Sequence, residues 1–265
     1  MKATVAELTQ LPGVWRGGEL ENVAHPVVAT GFARLDAELP GGGWPMGTLS
    51  EVLHDGMGIG EVGFLAGALA RATEGDRLVA WIDAPYLPYA PAIAQSGIPL
   101  ESCLVVRPAN REDALWAAEQ ALKSGACGAV LLWNASQRAH TQEYAWMRRL
   151  QLAAQAGNAM AVQFLSTAAE RHSTPAHLRV VLRREKGALM VRIPKRRGPP
   201  LAKFLPLAWA SAVPPLPCER ASAVPPLPWE RAGERVNTAC SGSLSNFHRS
   251  PSSSSNVLAL VPARS

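Results

Sequence analysis

Cysteine is too scarce in this chain to build it. Cys103, Cys127, Cys218 and Cys240 are the only four in 265 residues, and no two form a CxxC pair. That excludes a disulfide-stapled scaffold and offers no ligand spacing for zinc. His54, His140, His172 and His177 show no HxxxH spacing either, so no metal is expected. Cys103 and Cys127 stand in apolar, strand-like contexts and are expected as buried thiols. No apolar run approaches the ~20 residues that span a bilayer. The opening MKATVAELTQLPG has no apolar stretch of the kind a signal peptide carries. The expectation is a cytoplasmic protein with no membrane contact.

A third shortage is local. HDGMGIGEVG, His54 to Gly63, lies between an apolar segment and an apolar helix, where a phosphate loop would lie. It has the glycines of such a loop but no Lys, Ser or Thr. Phosphate binding of that kind uses backbone amides, a lysine on the β- and γ-phosphates and a hydroxyl on Mg²⁺. Only the first of these is present. Glycine also serves a tight strand-to-helix turn, and an acid in the first turn, Glu61, complements the helix dipole.

Apolar residues make up 48% of the chain, enough for a core in one domain with some tail. The body reads as strands alternating with helices. TLSEVL (48–53), RLVAWID (77–83), CLVVR (103–107), AVLLW (129–133) and MAVQFLS (160–166) are strand-like. VGFLAGALARATEG, NREDALWAAEQALKSG and TQEYAWMRRLQLAAQAG are helical between them. Asn110 is placed to cap the middle helix and Gly125 to end it. Continuous apolar strands in βαβ order predict an α/β fold, a mainly parallel sheet with helices on both faces. LRVVLRR and ALMVRI then alternate as the arms of a β-hairpin turning at Gly187. IPKRRGPP is expected to leave the sheet after it.

Charge is uneven. The whole chain is +5, but 178–204 alone holds nine Lys or Arg against the single acid Glu185. Arg183, Arg184, Arg192, Lys195, Arg196 and Arg197 are the candidates for contact with DNA phosphates or an acidic partner. A solvated, charge-protected edge strand explains the same run. Phe204 is the only aromatic nearby on which a base could stack.

The tail is separate. SAVPPLPCERA (211–221) is followed directly by SAVPPLPWERA (222–232), an 11-residue direct repeat. A polar, serine-rich stretch comes next, and no packed core is expected after about residue 209. The expected organisation is an N-terminal arm (1–27), a domain (28–208) and a low-complexity tail (209–265).

VATGFARLDAELPGGGWPMGTLSEV and the segment from WIDAPYLPYAP to AVLLWNAS resemble the core of RecA-type ATPases. The VWRG near the start, the G-I-G-E loop and the closing KRRGPP are similar to the ImuA family, RecA- and SulA-related proteins of translesion-synthesis cassettes. The resemblance implies a RecA-like, P-loop NTPase-type sheet. It also implies an SOS-induced role in DNA repair and mutagenesis. The partners implied are RecA, an ImuB-type relative of Y-family polymerases and, through it, an error-prone polymerase, with weak DNA contact at most.

Laid on the RecA pattern, the loop Gly56, Gly58, Gly60 puts Glu61 at the lysine position and Val62 at the Ser/Thr position. Shifting the register to Gly58 and Gly63 puts Phe64 and Leu65 there. The Walker B acid falls on Trp133, with Asn134 next, and the water-orienting glutamate on Pro85. All three positions lack the charge or metal chemistry of phosphoryl transfer. No catalytic residue and no cofactor is therefore expected. Asp83, at a strand's carboxyl end, is read as structural. Trp15 and Arg16 are candidates for anchoring a partner, or for a segment folded back on its own core. A SulA-like inhibitor of the division protein FtsZ and a divergent ATPase remain as alternative readings.

Overall fold

The computed structural model describes residues 26–56, 58–133, 140–207 and 256–259. Trp15, Arg16, Asn134 and the 11-residue repeat lie outside them. In chain order the strands are β1 (Val27–Val28), β2 (Trp44–Pro45), β3 (Thr48–His54), β4 (Leu78–Ile82), β5 (Cys103–Arg107) and β6 (Cys127–Trp133). They continue as β7 (Met160–Leu165), β8 (Leu178–Glu185), β9 (Ala188–Lys195), β10 (Leu201–Leu207) and β11 (Asn256–Ala259). The helices are α1 (Ala33–Asp36), α2 (Glu61–Ala72), α3 (Ala90–Gln95), α4 (Arg111–Lys123) and α5 (His140–Gly157).

One sheet of nine strands runs β10-β9-β8-β3-β7-β6-β4-β5-β11. From β8 to β5 every neighbour is parallel. This is the arrangement a βαβ sequence dictates, since parallel neighbours need a crossover long enough for a helix. β3, β6 and β7 are buried along almost their whole length, as their unbroken apolar runs require. The mainly parallel α/β expectation holds.

Side chains alternate between two cores. On one face Val52, Trp81, Leu131, Trp133, Val162 and Phe164 pack with Phe64, Leu65, Ala68 and Leu69 of α2. On the other, Leu49, Ala80, Val130 and Ala161 pack with Leu115, Ala118 and Leu122 of α4 and Leu150, Ala153 and Ala154 of α5. Gly128 lets α2 approach closely, because a Cβ there would lie 1.7 Å from the Ala72 carbonyl oxygen. Asn110 caps α4 as expected, its side chain accepting the Asp113 N–H at 2.9 Å. The β8–β9 hairpin turns on Lys186 (φ 48°) and Gly187 (φ 83°), two left-handed residues in succession. Such two-residue turns match the strand twist.

Two expectations need correction. The chain does not leave the sheet after IPKRRGPP: it turns through Gly198 and returns as β10, antiparallel to β9. Of the prolines in that stretch, Pro199 and Pro200 sit in the connection, and Pro194 lies near the end of β9 where its pairing with β8 shifts register between Arg179 and Val181, a site that tolerates proline. The tail also contributes structure at one point, because Asn256–Ala259 pairs antiparallel with β5. Those residues belong to NVLAL, an apolar run after the serine-rich stretch.

Candidate functional site

In an open parallel sheet, ligand sites lie at the carboxyl ends of the strands. Here that rim is formed by β3, β7, β6 and β4, with the glycine loop leading from β3 into α2. Gly60 is left-handed (φ 101°) and α2 begins at Glu61. The Glu61 carboxylate turns back over the loop. One oxygen accepts the Gly58 N–H at 3.3 Å and the other the Gly60 N–H at 3.1 Å. These amides are of the kind that would cradle a phosphate, and a carboxylate of the same chain occupies them. Glu61 is buried, and its charge sits at the positive end of the helix dipole. A phosphate entering would meet that charge at close range. Two unit charges 4 Å apart repel by about 4 kcal/mol at an effective dielectric near 20.

The loop is also tied from the side. Asp55 accepts the Thr167 hydroxyl at 2.5 Å and the Thr167 N–H at 3.2 Å, and the Ser166 hydroxyl at 3.4 Å. The Thr167 hydroxyl bond, chiefly, holds the Asp55 carboxyl below the ordinary carboxylate range. The loop after β3 and the segment after β7 are thus fastened to each other.

Under the rim the space is aromatic. Trp133, which the RecA resemblance lays on the Walker B acid, stacks on Phe164 with ring centres 4.5 Å apart and planes 15° apart. Trp81 lies parallel on its other side at 5.9 Å. His54 meets Phe164 edge-on at 6.0 Å, and its Nδ1 is 2.8 Å from the Gly56 carbonyl oxygen. Four rings from four adjacent strands therefore form one row on the α2 face of the sheet. Trp133 is only 7% exposed, so packing, not a partner contact, accounts for it. Sequence reasoning missed this row because each ring lies in a different segment, and only the β4-β6-β7-β3 order joins them.

Pro85 and Asp83 follow β4. Asp83 is left-handed (φ 56°) and donates its N–H to the Val106 carbonyl. Desolvation against the sheet raises its carboxyl above the ordinary range. Beyond it Tyr86 and Tyr89 are exposed. Among the described residues no group of acids, histidines and cysteines is arranged to hold a metal ion.

The basic segment is a three-stranded antiparallel meander, β8–β9–β10. Its charges are less available than their number suggests. Arg179 is 5% exposed and its Nε donates to Glu51 Oε2 at 2.5 Å; Glu51 is fully buried on β3. Thr174 Oγ1 donates to the other Glu51 oxygen at 2.5 Å, while Arg179 Nη1 donates to the Glu170 and His172 carbonyls. The solvated-edge reading does not hold for β8, an interior strand whose first arginine serves the core; within this run only β10 lies at the edge.

Arg192 pairs with Glu170 at 2.7 Å, and that bond, chiefly, depresses the Glu170 carboxyl below its usual range. Arg196 donates to both the carbonyl and the carboxylate of Glu38, and to the Pro199 carbonyl. Lys195 donates to the Thr174 carbonyl at 2.7 Å, and burial pushes its ammonium below the ordinary range. Arg183 pairs with Glu185 and lies 3.8 Å over the Phe204 ring, with Arg192 at 5.4 Å. Arg184 and Arg197 are exposed. The six candidates thus share one end of the sheet, and Arg183, Arg192, Lys195, Arg196 and Arg197 are engaged within the chain.

Comparison with known proteins agrees with this architecture. Residues 64–161, from within α2 to the start of β7, match the family model described as cell division inhibitor SulA. RecA of Cutibacterium acnes is 30% identical over 119 residues, covering 45% of this chain and 34% of that protein. RecA of Chloroherpeton thalassium is 29% identical over 119 residues, covering 45% and 33%. RecA of Haemophilus ducreyi is 27% identical over 137 residues, covering 49% and 37%. The chain spans about a third of the length of the curated relatives it matches. A parallel sheet with a glycine-rich turn from β3 into α2, together with these similarities, makes this a RecA-like α/β protein related to RecA and SulA.

Proposed function

We propose that this protein is a non-catalytic, RecA-like accessory factor of the DNA-damage (SOS) response, working in translesion synthesis and mutagenesis. It would link RecA and an ImuB-type partner to an error-prone polymerase. The observation that carries the reading is the Glu61 carboxylate on the Gly58 and Gly60 amides, above an aromatic row that includes Trp133. A RecA-like fold with its phosphate cradle occupied from within has protein contact left as its use. Membership of a DNA-damage pathway comes from the similarity to RecA and SulA; the translesion role comes from the ImuA-like VWRG, G-I-G-E and KRRGPP segments. DNA contact is at most secondary, since Arg179, Arg192 and Arg196 already have acidic partners.

The SulA match raises a second reading, inhibition of the division protein FtsZ. It spans α2 to β7, core elements that either role would need, and so does not rank the two. A divergent ATPase is the third reading, and the absence of Lys, Ser and Thr from the loop weighs against it. Affinity capture of the tagged full chain from DNA-damaged cells separates them. Recovery of RecA with a Y-family polymerase relative supports the accessory role. Recovery of FtsZ without them overturns it.

A further inference from the structure

The large apolar side chains left exposed among the described residues fall in two places. Trp116, Tyr144 and Leu152 are on α4 and α5, while Tyr86, Leu87 and Tyr89 share the short loop from β4 into α3. Tyr86 is 71% exposed, Leu87 46% and Tyr89 54%, so this loop turns its apolar side chains outward. Its backbone is nevertheless held. Pro85 and Pro88 fix the chain on either side of Tyr86 and Leu87. The Tyr89 carbonyl accepts the Ala92 and Ile93 N–H groups, which starts α3, and Ile93 is buried. Two tyrosines are thus presented to solvent on a stiff support, which lowers the ordering cost of binding.

Charges of both signs flank the loop. Asp83 follows β4 and Arg107 ends β5, and both are exposed. The Asp83 N–H donates to the Val106 carbonyl, which sets these two strand ends side by side. Tyrosines beside an acid and a base fit a proline-rich peptide. A polyproline chain has no internal hydrogen bonds, so its carbonyls are free to accept tyrosine O–H groups while its rings lie on the aromatic faces. The sequence carries this chemistry twice, as PPLPCER at 214–220 and PPLPWER at 225–231. Each proline core is followed by a Glu-Arg pair, whose charges complement Arg107 and Asp83.

Reach selects between the two copies. β8 is parallel to β3, β9 antiparallel to β8 and β10 antiparallel to β9, so β10 ends at the same carboxyl rim as β4. From β10 to β4 is six strand spacings, about 29 Å at ~4.8 Å each. Pro214 comes seven residues after Leu207, a reach of about 25 Å at most. Pro225 comes eighteen residues after it, a reach of about 60 Å. The second copy alone spans the distance within one chain. We propose that Tyr86 and Tyr89 form a docking surface for a proline-rich segment, and that its occupant is the 225–231 repeat of the same chain. The proline core lies on the two rings, with Arg231 toward Asp83 and Glu230 toward Arg107. This proposal is independent of the function proposed above, because it rests on the exposed loop and on the repeat.

The test uses the full chain carrying Pro225→Ala, Pro226→Ala and Pro228→Ala together, which leaves residues 26–207 unchanged. A labelled peptide SAVPPLPWERA, residues 222–232, should bind this variant about tenfold or more tightly than the parent, where the tethered segment competes at an effective concentration on the order of millimolar. Adding Tyr86→Ala and Tyr89→Ala should abolish the binding, and adding Asp83→Asn instead should weaken it about threefold or more, less so at high salt. A peptide with its three prolines changed to alanine should bind none of these proteins. Absence of binding by the proline variant, equal binding by variant and parent, or binding that survives loss of both tyrosines overturns the proposal. Tyr86→Ser alone serves if the double tyrosine variant does not fold. It should weaken the peptide several-fold, and unchanged binding counts against the proposal equally.

Discussion

At the carboxyl rim the groups of a kind that would cradle phosphate are the backbone amides of Gly58 and Gly60, and the carboxylate that takes them belongs to nearby Glu61. In the meander the groups of a kind that could meet phosphate are guanidiniums, and three of them take acids from far along the chain: Glu51 for Arg179, Glu170 for Arg192 and Glu38 for Arg196. Both regions look, by composition, like places for a polyanion, and in both the chain's own carboxylates have taken it. They differ in depth. The rim is closed by one residue over a turn, the base of the meander by a buried ion pair, and β9 and its exit by partly exposed pairs. Burial therefore decides how much each acid matters, and this ordering can be tested acid by acid.

Removing Glu51 should have the largest effect. Glu51→Ala leaves Arg179 charged and buried without its acid, and should destabilise the protein by about 3–5 kcal/mol in urea unfolding. Next comes the row of rings beneath the rim. Trp133→Ala opens a cavity between Trp81 and Phe164, and large-to-small changes of this type cost about 3–5 kcal/mol. Slight exposure of Trp133 puts it at the lower end, near 3 kcal/mol. Glu61→Ala should cost less, about 1 kcal/mol by the same measurement, since it frees two loop amides that water can reach. Arg192→Ala, which breaks a partly exposed pair, should cost about 0.5–1 kcal/mol, falling with added salt.

The smallest effect is in pH dependence. The Glu170 and Asp55 carboxyls are held below their ordinary range in the folded protein. Their stabilisation is therefore complete above the unfolded carboxylate pKa and is lost as pH falls through the lower folded value. In acid titrations followed by unfolding, Glu170→Gln and Asp55→Asn should each flatten the fall in stability across that window. An unchanged acid limb for both would mean that these bonds do not persist in solution.

How much of this was legible beforehand follows the same division between near and far. Elements fixed by neighbours in sequence were readable: the apolar strand Cys103–Arg107, the Asn110 cap of α4 and the β8–β9 turn at Gly187. The acid in the loop was also visible, as Glu61 beside three glycines. Features that depend on strand order were not. Arg179 alternates like a surface residue, and only the β8–β3 register brings it to Glu51. Trp81, Trp133 and Phe164 read as three separate apolar residues until β4, β6 and β7 are placed side by side. β10 was hidden by Pro199 and Pro200 just before it and by Pro206 within it, which an edge strand tolerates. β11 was hidden because four residues, three of them apolar, in a serine-rich tail carry little signal until an unpaired edge is there to receive them.

The central claim is that the RecA-like sheet keeps its glycine turn with the phosphate cradle closed by Glu61. Calorimetric titration of the full chain with Mg–ATP tests it most directly. No saturable binding is predicted. Saturable binding in the micromolar range, abolished by substituting Gly60, would contradict the account.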